Sequence, residues 1–177
     1  MKYLVMCEGP NELEIVKILL EHDQLFFSRD DLLNLVPYHA RQIKSNPTLK
    51  AALNLYHGEV QVLRIGDKLS DQLVIPKEYK RQISKITKYC TKPELEMLLI
   101  ISEHMEFEFE KVKSKVSPKV FSKNHIRYHR QRYDNSSMFF REYYGQRIEL
   151  LRDTILRYRS LKGKHQKDEH YLADLLK

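Results

Sequence analysis

The sequence predicts an α/β fold, a mainly parallel sheet with helices on both faces, and three observations carry that prediction. The chain opens on a continuous apolar run, Tyr3-Leu4-Val5-Met6-Cys7, the pattern of a strand covered on both faces. Strand-length apolar runs then alternate with stretches of helical periodicity, as a sheet with crossover helices requires. Finally, five Gly and six Pro in 177 residues are too few for a turn-rich all-β protein, while the length suffices for a real core.

The elements follow in order. Glu8-Gly9-Pro10-Asn11 punctuates the first strand. Asn11 is placed to cap the next helix, with Glu12 and Glu14 in the first turn, where the helix dipole favours negative charge. Ile15, Ile18, Leu19 and His22 give that helix one face, and it ends near Asp23. Leu33, Leu35 and Val36 predict a short second strand before Pro37. Pro47 to Tyr56 reads as a helix with Leu49, Ala52, Leu53 and Tyr56 on one side, and Gly58 stops it. Val60, Val62, Leu63 and Ile65 form a third strand, broken by Gly66-Asp67-Lys68. Tyr79, Ile83 and Ile86 predict a helix from Pro76 to about Tyr89.

Leu95 to Ile101 fits either a fourth buried strand or part of a helix from about Pro93 to Lys113. The capping pattern Thr91-Lys92-Pro93-Glu94 and the spacing of Leu95, Leu98, Leu99, Met105 and Phe109 favour the helix. Ser117-Pro118 marks a boundary between an α/β domain over 1–116 and a basic segment with a helical C-terminal extension over 117–177, packed on that domain. In the extension, Phe140, Tyr144, Ile148, Leu151, Ile155 and Tyr158 form the stripe of a long helix from about Ser136 to Leu161, ended by Gly163. That stripe serves as core packing or as the interface for a second copy or a protein partner. A last short helix is expected over Glu169–Leu176.

Composition narrows the function classes. Thirty-one Lys and Arg against twenty-four Asp and Glu leave a net charge of +7, which fits a polyanion such as nucleic acid. Cys7 and Cys90 form neither a metal-type pair nor a disulfide framework and read as small core residues. The apolar runs are too short to span a bilayer, and Met1–Tyr3 leads straight into a strand without signal-peptide architecture. The expectation is a cytoplasmic protein with no membrane partner. No Walker-type glycine loop, nucleophile elbow or zinc-protease motif is present.

The most informative stretch is Leu4-Val5-Met6-Cys7-Glu8-Gly9-Pro10-Asn11-Glu12. It sets one carboxylate at the end of a buried strand and a second in the first turn of the following helix. In open α/β sheets ligands bind at those strand ends, and converging carboxylates suit a hard divalent ion. This stretch resembles the first motif of Toprim domains, especially the Toprim-like nucleases of the OLD type and related small Toprim-like proteins: a hydrophobic strand, then E-G-x-x-E or E-G-x-x-D, then a helix. The resemblance covers about the first 105 residues. It implies that Glu8 is the general acid/base or a metal ligand and that Glu12 helps to hold metal. The family's second motif is an Asp-x-Asp pair after a later strand. Here Asp67 stands in the matching place as a candidate metal ligand, but the next aspartate is Asp71, four residues later, which implies either a rearranged metal site that uses Asp71 or a weakened one. Glu94-Leu95-Glu96-Met97-Leu98-Leu99 resembles a further family segment and makes Glu96 an additional candidate ligand, with Glu103 the alternative if the segment is a strand.

The resemblance thus implies Mg²⁺- or Mn²⁺-dependent phosphodiester hydrolysis of nucleic acid, of the kind that serves phage defence or repair. Its competitor is a non-catalytic nucleic-acid-binding or assembly protein on a decayed Toprim-like fold, which the missing Asp-x-Asp favours. Outside the resemblance, eight cations and no acid lie between Lys111 and Arg132. Lys119, Lys123, Arg127, Arg130 and Arg132 are the candidate phosphate contacts, interleaved with Phe121, His125, Tyr128, His129 and Tyr133 as candidate stacking surfaces. His125 and His129, four apart, could share a helical face but lack a third metal partner.

Overall fold

The computed structural model describes residues 1–67, 72–161 and 167–177. Among them the strands are β1 (Lys2–Cys7), β2 (Tyr38–His39), β3 (Val60–Gly66), β4 (Ile83–Cys90), β5 (Arg127–Tyr128), β6 (Gln131–Arg132) and β7 (Glu169–Tyr171). The helices are α1 (Pro10–Glu21), α2 (Pro47–Leu55), α3 (Met97–Ser102), α4 (Glu106–Val112), α5 (Pro118–His125), α6 (Ser137–Tyr144) and α7 (Ile148–Ser160). Five strands form one sheet in the order β2-β1-β3-β4-β7, and every pairing in it is parallel. β5 and β6 pair separately as a small antiparallel hairpin. No helix among the described residues is long and apolar enough to cross a membrane.

The pleat of β1 divides the core. Val5 and Cys7 face a large cluster with Ile15, Val16, Ile18 and Leu19 of α1, while Leu4 and Met6 face a smaller one with Leu49, Ala52 and Leu53 of α2. Both faces of the sheet are therefore covered, which is why β1 reads as an unbroken apolar run. The edge strands β2 and β7 are only two and three residues long, which leaves little open ladder for unwanted pairing.

Several elements differ from expectation, each for a local reason. Leu33–Leu35 is a 3-10 turn in which Asn34 and Leu35 adopt positive φ, and the second strand forms just beyond Pro37. Residues 83–90 are strand β4, not helix. Tyr79, Ile83 and Ile86 fall at helical spacing by accident, whereas Ile83, Ile86 and Thr87 are β-branched and the segment pairs with β3 along its length. The helix expected over Pro93–Lys113 is two helices, α3 and α4, separated by His104 at positive φ. Every residue of α3 is buried, so that segment carries no amphipathic period. The long helix expected over Ser136–Leu161 breaks around Gly145 into α6 and α7, while its stripe continues across the break. Gly163, expected to end it, lies outside the described residues. Glu169–Leu176 is strand β7 followed by a 3-10 turn rather than a helix.

Residues 117–177 share the main core. Phe140, Tyr144, Leu151, Ile155 and Tyr158 are all buried in the cluster that contains α1 and α3, so the stripe is used up inside the chain. Ser102 of α3 hydrogen-bonds both Tyr144 (2.8 Å) and Thr154 (2.9 Å), and β7 completes the sheet beside β4. Ile155→Ala should therefore destabilise the whole chain by about 2–5 kcal/mol, in a single denaturant transition. An early transition confined to 117–177 would show instead that this part unfolds as a separate unit.

Candidate functional site

Because the sheet strands are parallel, their C-terminal ends lie on one edge. Glu8 follows β1, Arg41 follows β2, Asp67 follows β3, and Glu94–Glu96 follow β4. Backbone bonds hold these exits together: Glu8 N–H donates to Ile65 C=O (2.8 Å), Ala40 N–H to Cys7 C=O (3.0 Å) and Thr91 N–H to Gly66 C=O (3.0 Å). The strand order reverses direction at β1, where the chain passes from β2 on one side to β3 on the other. In doubly wound sheets the crevice that binds ligands opens at this point. Here it is a cavity of about 240 Å³ lined by Glu8, Glu12, Asp67, Glu94 and Glu96, with Asn11, Arg41, Lys119 and Asn135.

The carboxylates are unequal. Burial, reinforced by the negative charges of Asp67, Glu96 and Glu8, pushes the Glu12 carboxyl up to about 7. Burial also raises the Glu96 carboxyl, which accepts a hydrogen bond from the buried Tyr133 hydroxyl (2.8 Å) and has the Lys119 ammonium 3.9 Å away. Glu8 is buried, and the mostly exposed Arg41 guanidinium lies 3.3 Å from it. Glu94 accepts from the Lys119 backbone N–H (2.8 Å) and so caps the start of α5. Asn11 does not cap α1: Gly9 takes that position, Pro10 begins the helix, and the buried Asn11 Oδ1 has no hydrogen-bond partner among the described residues.

Two glycines make room for this packing. A Cβ on Gly66 would stand 2.5 Å from the Glu8 Cβ and collide with its carboxylate, and one on Gly9 would stand 2.5 Å from Glu12 Oε2.

Glu8, Glu12, Asp67, Glu96 and Lys119 thus meet in one cavity, while Asp71 lies outside the described residues. Lys123, Arg127, Arg130 and Arg132 do not line the cavity; they lie at the end of α5 and on the β5–β6 hairpin. Glu103 accepts from Tyr143 and is no part of the site. His125 ends α5 and His129 sits at the hairpin tip, so the two share no helical face. Burial raises both thiols, Cys90 to about 11, which rules against a thiolate nucleophile at neutral pH. Arg41 escaped sequence reasoning because β2 is too short to announce itself. Glu94 reads in sequence as the capping residue of its own helix, and Asn11 as a cap rather than a cavity residue.

The donors in the cavity are all oxygens, several ionised, which is the set that a hard divalent cation takes. Among the described residues no group of three or more His, Cys, Asp or Glu side chains stands close enough together to hold a metal ion, although five carboxylates line the one cavity. Compared with models of protein families, with curated proteins and with solved structures, the chain matches none.

The raised Glu12 carboxyl gives the protein a definite pH dependence. Its value rises from 4.5 to about 7 on folding, so the fold is favoured with Glu12 protonated. That contribution, on the order of 3 kcal/mol, is complete below about pH 4.5 and is lost as the pH climbs through 7. The melting temperature should fall across this window, and Glu12→Gln should flatten the fall. Equal pH profiles for the two proteins would contradict the shared burial of these carboxylates.

Gly66→Ala should displace Glu8 and destabilise the fold by about 1–3 kcal/mol, measured by denaturant titration, with the far-UV spectrum unchanged. An unaltered midpoint would mean that the added Cβ is accommodated without moving Glu8.

Proposed function

We propose that this chain is a Toprim-like, divalent-metal-dependent phosphodiesterase acting on nucleic acid. The observation that supports the reading most directly is the meeting of Glu8, Glu12, Asp67 and Glu96 in one cavity, with Arg41 and Lys119 at the same cavity. Four carboxyl groups brought together at a cost have a purpose when a cation is to be held. The unpartnered Asn11 Oδ1 adds a neutral oxygen to the same donor set. Glu12, Asp67 and Glu96 are the residues that would hold Mg²⁺ or Mn²⁺. A bound ion of this kind supplies Lewis acidity toward a phosphate and an acidified water.

The chain's own groups do the rest. Glu8, at the end of a rigid strand, takes a proton from the attacking water. Arg41, tied to Glu8 yet mostly exposed, can turn its guanidinium to a phosphate oxygen. Lys119 lies at the cavity beside Glu96 and adds a second cation. Tyr133 donates to Glu96 and fixes that carboxylate. A phosphodiester bound between the two cations would present its phosphorus to the carboxylates.

One sequence feature favours the competing, non-catalytic reading: the residue two after Asp67 is Leu69, where the Toprim pattern has its second aspartate. The experiment that separates the readings is cleavage of labelled DNA and RNA in Mg²⁺ and Mn²⁺ by the natural chain and by Glu8→Gln. The natural chain should cleave, and Glu8→Gln should lose roughly a hundredfold or more while keeping its melting temperature. No cleavage under any metal, together with no Mn²⁺ binding by calorimetry, would assign the chain to the non-catalytic class.

A further inference from the structure

We infer that the β5–β6 hairpin is an arm that grips the phosphates of a double-stranded nucleic acid beside the cavity. The inference rests on the reading that the cavity serves nucleic acid, and it names the form of that substrate.

Arg127 and Tyr128 pair with Arg132 and Gln131 across a two-residue turn, His129-Arg130. Both turn residues adopt left-handed backbone, φ 45° and 68°. Tight hairpin turns of this kind favour Asn-Gly, and residues with full side chains cost about 1–2 kcal/mol each there. The sequence accepts that cost and puts an imidazole and a guanidinium at the tip. It accepts a second cost in the register, since Arg127 stands directly opposite Arg132, and like charges so placed repel. Among the described residues neither Arg127 nor Arg130 has an ion-pair partner. Arg132 is bonded to Lys123 C=O and to Asn124 Oδ1 (2.9 Å), neither of which carries charge. A strained, self-repelling and exposed group of cations becomes favourable when an anionic ligand neutralises it.

The arm is rigid at its base and joined to the cavity wall. Ile126 and Tyr133, which flank it, are buried and linked by Tyr133 N–H to Ile126 C=O (3.1 Å). The Tyr133 hydroxyl then reaches Glu96 of the cavity. A backbone held by the hairpin is thereby held next to the carboxylates.

The aromatic groups decide between duplex and single strand. Single strands are held by stacking bases on open ring faces. In this segment those rings are buried or engaged on at least one side. Phe121 and Tyr133 are buried, and Tyr128 packs between Tyr143 (5.1 Å) and the Arg147 guanidinium (5.3 Å). Of the two exposed imidazoles, His125 stacks on Phe121 (4.2 Å) and His129 lies against Tyr128 (4.1 Å). What remains open is cationic. A narrow two-stranded ribbon edged with arginine suits the phosphates that border a duplex groove, which such a ribbon can enter.

The test uses the full chain carrying Glu8→Gln, to prevent turnover, with a fluorescent 24-base-pair duplex and the matching single strand. Binding is followed by anisotropy over a salt series. The duplex should bind at least tenfold tighter than the single strand. Arg127→Ala with Arg130→Ala should weaken duplex binding about tenfold and lower the salt slope by roughly two, one for each phosphate contact removed. Arg127→Lys with Arg130→Lys should restore the slope, which a merely structural role for the arginines would not predict. Equal or tighter binding of the single strand, or an unchanged affinity and slope in the alanine pair, overturns the proposal. Hairpin-dependent duplex binding without cleavage by the natural chain would sink the hydrolase reading alone. Cleavage that the alanine pair leaves unaltered would sink the hairpin alone.

Discussion

Parallel strands finish on the same edge of their sheet, and the chemistry of this protein depends on that constraint. β1 through β4 run together, so four separate exits place Glu8, Arg41, Asp67 and the Glu94–Glu96 turn within one small cavity. An antiparallel sheet of the same strands would send half of these residues to the opposite side. The central position of β1, with β2 on one side and β3 on the other, leaves the crevice open above the strand that carries Glu8. The buried apolar runs thus do more than supply a core: by forcing helices onto both faces they leave the C-terminal edge as the open place where polar groups can meet.

Assembling those carboxylates opposes folding, and the surroundings show how the cost is met. Tyr133 and Lys119 attend Glu96, Arg41 attends Glu8, and Glu94 is engaged as the cap of α5. Glu12 is buried and has neighbours of the wrong sign, Asp67, Glu96 and Glu8, and its carboxyl is pushed up to about 7. The penalty thus falls on Glu12 and, through burial, on Glu96, while Glu8 keeps a cation nearby and Glu94 a backbone donor. The tight fit of Gly66 and Gly9 against the Glu8 and Glu12 side chains belongs to the same economy, since a larger residue at either position would force a carboxylate out of the cavity. Such a site favours a proton on Glu12, because protonation relieves both the burial of charge and the repulsion.

Much of this was legible in the sequence where local physics acts alone. The unbroken apolar run of β1, the break at Glu8-Gly9 and a helix with Glu12 in its first turn are all short-range patterns, and they emerged as read, except that the helix starts at Pro10 with Gly9 in the capping position rather than Asn11. So did β3, which ends at Gly66 just before Asp67. The α/β class followed from alternation, although β4 was taken for a helix because three apolar residues can satisfy two periods at once. The breaks at His104 and Gly145 were hidden because buried stripes on either side continue in phase. Arg41, Glu94 and Asn11 were missed for a different reason. Their roles arise from contacts between exits that are distant in the chain, and no periodicity records such contacts.

The C-terminal residues complete the argument about where function resides. Lys119, Tyr133 and Asn135 come from the segment after Ser117, yet two of them line the cavity and the third holds Glu96. α6 packs against α1, whose first turn carries Glu12, through the ion pairs of Arg141 with Glu14 and Glu21. α7 packs against α3, which directly follows Glu96. The C-terminal residues therefore brace both acidic segments, while Lys119 and Asn135 reach the cavity itself. The carboxylates set what the site can hold, and the later part of the chain sets their geometry and carries the cations beside them.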